Sequence, residues 1–217
     1  MTNPERYRYR IQFEKRDEIR FIGHLDLQRT WERTLRRASL PLCHSQGFNP
    51  RPKINLGRAL PLGQTSECEL IEIWLEQEIE PDELLQRLKA AAPPGLMVVS
   101  ANQVPLSEAS LQSRISSASY LVTLDGELDR DHLQSSVERL LQSETLPRVR
   151  RKKEYDLRPL IESISIASSS PEAAKLLMQL AAREGASGRP EEVLLEIGLE
   201  PAHARTHRIK LFFEDDL

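Results

Sequence analysis

Cysteine is close to missing: the 217-residue chain has two, Cys43 and Cys68. Two thiols cannot build a disulfide scaffold, a four-cysteine zinc knot or the three-cysteine run that holds an iron–sulfur cluster. Long apolar runs are absent too, none approaching the roughly 20 residues that span a bilayer. Residues 1–8 carry charges where a secretory signal has its apolar stretch, so the sequence predicts a cytoplasmic protein with no membrane partner. No glycine-rich phosphate loop ends in Lys-Ser/Thr, and no dinucleotide fingerprint occurs. His203 and His207 stand four apart, but in a strand-like stretch where helical metal spacing does not apply. Neither cofactor nor metal is expected.

Net charge is small, −3, but unevenly spread. Residues 1–58 hold 13 Lys and Arg against six Asp and Glu, whereas residues 59–86 hold eight carboxylates and no Lys or Arg. A second basic block, 146–160, carries Arg148, Arg150, Arg151, Lys152, Lys153 and Arg158. Charges more than about 10 Å apart are largely screened from one another at ordinary ionic strength, so these local fields matter more than the total.

The chain length suits one large domain or two of about 100 residues. Tyr7, Tyr9, Ile11 and Phe13 alternate with Arg6, Arg8, Arg10 and Gln12, the period of a half-buried strand. Residues 17–21 read as a short hairpin partner. Residues 24–40 read as a helix with Leu27, Trp31, Leu35 and Ala38 along one stripe, stopped by Pro41. Strands are predicted at 53–60, 68–77 and 96–104, with a helix opening at Pro81. Residues 107–119 hold six serines and no clear period, which reads as linker. The pattern then recurs: a strand at Tyr120, Val122 and Leu124, a helix over 131–142, strands within 146–166 and at 174–183, a helix over 190–199. A last strand over 205–213 is expected to put His207, Ile209, Leu211 and Phe213 on one side. The second helices read alike, PDELLQRL at 81–88 beside PEEVLLEI at 190–197.

The prediction is an α+β protein of two tandem ferredoxin-like (β-α-β-β-α-β) units with antiparallel sheets. The first covers 1–106, the linker 107–118 and the second unit 119–217. Two helices would cover one face of each sheet and leave the other available. A single irregular α+β domain is the alternative.

Several stretches carry a family likeness: YRIQFEK at 9–15, IRFIGHLDL at 19–27, RRASLP at 36–41, SQGFNPRPK at 45–53, ALPLG at 59–63 and EYDLRPLI at 154–161. Together they resemble a radical-SAM-linked bacterial domain of unknown function, found fused to or encoded beside B12-binding radical SAM proteins. The resemblance implies association with a radical SAM protein. With two cysteines this chain cannot itself be that catalyst.

Residues 41–63 are the most informative segment. Four prolines and three glycines exclude long regular structure there, yet His44, Ser45, Gln46, Asn49, Arg51, Lys53 and Arg58 crowd it. Arg29, Arg33, Arg36 and Arg37 fall on one face of the preceding helix. Arginine's planar fork suits phosphate. Phe48, between Gly47 and Asn49, suits base stacking, or else plugs the loop onto the core. The resulting expectation is an RNA-binding protein, its RNA a tRNA or rRNA, accessory to a radical SAM modifying enzyme. Arg29, Arg33, Arg36, Arg37, Arg51 and Lys53 would hold phosphates, and Gln46, Phe48 and Asn49 a base or 2′-hydroxyl.

Competing readings pair Arg6, Arg8 and Arg10 with Glu67, Glu69 and Glu72 across neighbouring strands, or make Arg29, Arg33, Arg36 and Arg37 a solvated face. One alternative function is a protein-docking module that contacts a radical SAM partner through the acidic 67–83 stretch and Trp74, without nucleic acid. The other is a metal-independent endoribonuclease using His24 and His44 as acid and base. The main reading is of a binder, not an enzyme. In the second half, Asp156 and Arg158 are expected either to lock a turn or to present Arg158 to a ligand.

Overall fold

The alternation in the first strand sets the core. In the computed structural model, β1 (Tyr7–Lys15) buries Tyr9, Ile11 and Phe13 completely. Opposite them in register, β3 (Thr65–Leu75) buries Ile71 and Ile73, with Leu75 facing Tyr7. Leu27, Trp31 and Leu35 of α1 (His24–Arg37) and Leu84 and Leu88 of α2 (Pro81–Ala91) complete this core. The Trp31 indole meets the Phe13 ring edge-on at 5.0 Å. The Tyr9 hydroxyl donates to Ile79 O at 2.7 Å and accepts from Ile79 N at 2.9 Å. Burial raises its pKa above the usual phenol value.

The structure describes residues 6–126, 129–150, 152–169 and 173–214. The chain divides into two compact units, Met1–Arg114 and Ile115–Leu217. The architecture is α+β with five α-helices among the described residues, and every pairing within a unit described below is antiparallel. In the first unit β4 (Leu96–Val104) pairs with β1, β1 with β3, and β3 with β2 (Ile54–Leu56). In the second, β11 (Ala204–Phe213) pairs with β5 (Ile115–Asp125), β5 with β9 (Ala173–Arg183), and β9 with β8 (Ile161–Ser169). A short β10 (Ala186–Ser187) extends β9, and β6 (Pro147–Arg150) with β7 (Lys153–Asp156) forms a separate hairpin. Tyr120, Val122, Leu176, Met178 and Leu180 of the sheet are buried, as are Leu133, Val137 and Leu140 of α4 (Arg130–Gln142) and Val193 of α5 (Pro190–Glu196). Asp129 caps α4, its carboxylate accepting from Asp131 N and His132 N at 3.0 Å.

Several details differ from the sequence expectation. Residues 17–21 pair with no strand; Asp17–Ile19 is a 3₁₀ turn. α1 ends at Arg37, three residues before the predicted end, because Ser39 takes a left-handed φ of 53°. Leu40 N then donates to Leu35 O and Ser39 N to Arg36 O, a Schellman stop that precedes Pro41. In β11 the register slips between Arg208 and Lys210, so the alternation breaks: Thr206, Arg208 and Leu211 are buried while His207 and Ile209 are half-exposed.

Residues 107–118, read as linker, hold α3 (Leu111–Arg114) and the start of β5, with Ser116 and Ser117 buried. The stretch 105–114 also covers the sheet face of the first unit that was expected to be open. The Arg8 guanidinium reaches Glu108 O at 2.7 Å and Ala109 O at 3.0 Å. Gln112 exchanges amide hydrogen bonds with Asn55, and Arg58 donates to Gln112 O at 2.6 Å.

Beneath this strap lies an ion network. Glu72, fully buried, accepts from Arg8 at 2.7 Å and from Arg10 at 3.1 and 2.7 Å. Glu108 accepts from Arg10 at 2.7 Å and from Arg114. Burial works against ionisation of Glu108, but the hydrogen bond from Arg10 and the charges of Arg10, Arg114 and Arg8 outweigh it and hold its pKa low. The strand-pairing alternative for Arg8 and Arg10 is therefore the one realised, and those two arginines face no incoming anion.

Candidate nucleic-acid interface

The Schellman stop sends the chain from α1 across the edge of β3. Leu42 bridges to Leu75, and Cys43 N donates to Trp74 O at 2.8 Å. From there residues 43–53 double back as a narrow loop. Lys53 N donates to Cys43 O at 2.7 Å, Ser45 N to Arg51 O at 2.8 Å, and Arg51 N to the Ser45 hydroxyl at 3.1 Å. His44 bridges to Pro52. These bonds satisfy the stem and leave Gln46, Gly47, Phe48, Asn49 and Pro50 as the tip, all exposed. Gly47 has a φ of 145°, a conformation that a side chain resists.

Phe48 has a relative exposure of 106%, so its ring touches no part of the core. Burying such a side chain would stabilise the fold by about 1.5–3 kcal/mol. The alternative in which Phe48 plugs the loop onto the core is not the one realised.

Beside the loop lies a cleft of about 340 Å³, walled by Arg6, Cys43, His44, Gln46, Pro50 and Glu76. Burial first, and the Glu76 charge second, push the Cys43 thiol above its usual pKa, so it is a neutral wall and not a nucleophile. Sequence reasoning had not placed Arg6 and Glu76 here. Their signal was positional: Arg6 precedes β1 and Glu76 follows β3, whose ends are registered through Tyr7 and Leu75.

The predicted cations divide into two kinds. Arg33 and Arg36 are exposed on the outer face of α1 and Arg51 is exposed in the loop, and none of the three has an ion-pair partner among the described residues. Arg29 shares that face and pairs with Asp26 at 3.0 Å, both well exposed, an interaction worth about 0–1 kcal/mol that an incoming phosphate could replace. The last two serve the fold. Arg37 donates to Ala91 O at 2.7 Å, capping the last turn of α2. Lys53 lies 4.5 Å from the centre of the Trp74 ring.

His24 and His44 are not brought together. His24 opens α1 and His44 follows its far end, so a 14-residue helix of about 21 Å separates their levels. The acidic stretch drawn as a docking surface divides in two: Glu67, Glu76, Glu78, Glu80, Asp82 and Glu83 are exposed, and its other acids are not. Glu72 is fully buried and Glu69 is 4% exposed, while Trp74 is half-buried between Lys53 and Arg8, whose guanidinium carbon is 5.4 Å from the ring centre.

In the second unit the Asp156 carboxylate accepts from Leu146 N at 2.7 Å and Arg158 N at 2.9 Å, and the Arg158 guanidinium donates to Leu141 O and Ile161 O, each at 3.1 Å. Both residues therefore lock the turn. Arg151, part of the basic block read from sequence, lies outside the described residues. Among the described residues no group of three or more His, Cys, Asp or Glu could hold a metal, and no helix is long and apolar enough to cross a membrane.

The sequence pattern of a family described as "Uncharacterized protein conserved in bacteria (DUF2344)" matches residues 8–190. The chain belongs to this family. No curated protein matches this DUF2344 chain. Among solved structures, an H/ACA RNP bound to a substrate RNA containing 2′-deoxyuridine aligns at 12% identity and a TM-score of 0.47, covering 96% of this chain and 49% of that one. An archaeal box H/ACA sRNP Nop10–Cbf5 complex aligns at 11% identity and a TM-score of 0.47, covering 96% and 50%. An unknown protein from Galdieria sulphuraria aligns at 9% identity and a TM-score of 0.28, covering 96% and 99%. The chain spans about half the length of the first two.

Proposed function

We propose that the protein binds a single-stranded stretch of a folded RNA, a tRNA or rRNA, through the 43–53 loop and the outer face of α1. The observation that carries this reading is Phe48, fully exposed at the tip of a loop whose stem is closed by its own hydrogen bonds. An aromatic held away from the core offers a stacking face to any base, and Gln46 and Asn49 beside it supply donors and acceptors for base edges or a 2′-hydroxyl. Arg51, Arg33 and Arg36, free of acidic partners among the described residues, are suited to the phosphates, with Arg29 next to them. In this proposal the protein is a cytoplasmic RNA-binding accessory to a radical SAM enzyme, the association with a radical SAM protein being what the sequence resemblance implies. It includes reading each unit as ferredoxin-like, which the strand orders β4-β1-β3-β2 and β11-β5-β9-β8 support.

Binding of the purified protein to labelled oligouridylate across a salt series tests this. Stacking on an aromatic contributes about 1–3 kcal/mol per base, so Phe48→Ala should weaken binding roughly 5- to 150-fold with no change in Tm. Wild-type protein that binds no RNA at low salt, or a Phe48→Ala variant that binds as well, overturns the proposal.

One observation favours a second reading, docking of a protein partner without nucleic acid: Phe21, Leu25 and Leu62 are all more than half exposed. Co-purification of a radical SAM protein that resists nuclease and is lost in Phe21→Asp would select it.

A further inference from the structure

The β6–β7 hairpin repeats, in the second unit, the placement of the loop in the first. Residues 43–53 lie between α1 and β2, and the hairpin lies between α4 and β8, so each leaves its unit after the first helix and before the second strand. Each carries an exposed apolar side chain, Phe48 in one and Val149, 71% exposed, in the other. Each is pinned at its base. Here Leu157 N donates to Leu146 O at 2.9 Å, and Arg148 is drawn inward by Glu196 of α5, with Glu192 3.9 Å away.

Beyond Arg148 the basic side chains among the described residues of the hairpin have no ion pair. Arg150 stands directly across from Lys153, so two like charges share one face of a two-stranded ribbon. Such a pair is destabilising, by an amount within the roughly 0.2–1 kcal/mol span of cross-strand pairs. Lys152 holds a left-handed φ of 66°, which glycine or asparagine adopts more readily. None of Arg150, Lys152 and Lys153 has an ion pair or side-chain hydrogen bond among the described residues. Glu154, the nearest acid along the strand, sits opposite Val149 and therefore on the other face from Arg150 and Lys153. The fold gains nothing from cations concentrated in this way, whereas a phosphate chain laid across them removes the repulsion. A cavity of about 560 Å³ at the stem is lined by Pro147, Val149 and the half-buried Tyr155 together with Arg148, Glu154 and Asp156. Of these, Tyr155 lies on the face of Arg150 and Lys153, where its ring offers a base a stacking surface. Burial raises the Tyr155 pKa and keeps its hydroxyl protonated as a donor.

We propose that the β6–β7 hairpin is a second contact for single-stranded RNA, with Arg150, Lys152 and Lys153 on consecutive phosphates. This rests on the RNA-binding reading of the first unit and adds a site of its own in the second. Removing three phosphate contacts makes the slope of log K against log salt shallower by about 2, at roughly 0.7 per contact on a single strand.

The test measures oligouridylate binding over a salt series for wild type, Arg150→Ala/Lys152→Ala/Lys153→Ala and Lys152→Gly. The triple variant should bind more weakly, with the shallower slope and an equal or higher Tm. Lys152→Gly relieves the turn and removes one charge, so it should fold at least as well and flatten the slope by about 0.7. Unchanged slopes in both variants, while wild type binds RNA and Phe48→Ala weakens it, remove the hairpin contact and leave the loop reading standing. No binding by wild type removes both.

Discussion

Glu72→Gln probes the charged layer that the strap seals over the first unit. Glu72 is fully buried, and the Arg8 side chain it faces is 5% exposed. The substitution keeps the shape and removes the charge that Arg8 and Arg10 share. Removing one member of a buried ion pair costs about 3–5 kcal/mol, because the partner stays charged and loses its counter-ion. Here the loss falls near the lower end. Arg8 keeps the carbonyls of Glu108 and Ala109, and Arg10 keeps Glu108. A loss of about 3 kcal/mol, at a urea dependence of about 1–3 kcal/mol per molar, lowers the unfolding midpoint of the first unit by about 1–3 M. Adding Arg8→Met removes the stranded cation as well, so the double variant should lose less than the sum of the two single changes. The assay is urea unfolding followed by Trp fluorescence, since Trp31 and Trp74 both belong to this unit. A loss below about 1 kcal/mol, the size of an exposed pair, would show that this layer is solvated and refute the reasoning.

Two further outcomes follow from the same geometry. Arg37→Ala should lower Tm through loss of the cap on Ala91 O, worth about 0.5–1.5 kcal/mol, whereas Arg33→Ala/Arg36→Ala should leave Tm unchanged and flatten the salt dependence of RNA binding; the reverse pattern in melting and binding would contradict the division of roles. The depressed pKa of Glu108 makes its contribution complete above the unfolded value of about 4.5 and lost as pH falls through the lower folded value. Hydrogen exchange should therefore show residues 105–114 losing protection on acidification before the two core helices do, and simultaneous loss would count against the strap.

Much of the fold was legible because periods of 2 and 3.6 residues report burial directly. Tyr9, Ile11 and Phe13, or Leu27, Trp31 and Leu35, read as core from spacing alone, and they are core. Features set by tertiary pairing were not legible. No local pattern says that a serine-rich stretch will fold over a sheet, because its anchor is Glu108 meeting arginines about 100 residues earlier in the chain. Ser39 in a left-handed turn shortens α1 without any glycine to announce it. At the candidate site, the Gly/Pro-rich composition of 41–63 revealed a built loop. It did not separate Arg37 and Lys53, which cap a helix and cover a ring, from Arg33, Arg36 and Arg51, whose charges stay unanswered among the described residues.

Ultraviolet crosslinking of the intact protein to cellular RNA, with the crosslinked peptides identified by mass spectrometry, tests the central claim most directly. The predicted result is a nucleotide adduct on the segment 45–53, at Phe48, absent from Phe48→Ala. Abundant adducts elsewhere on the chain with none on that segment would contradict it.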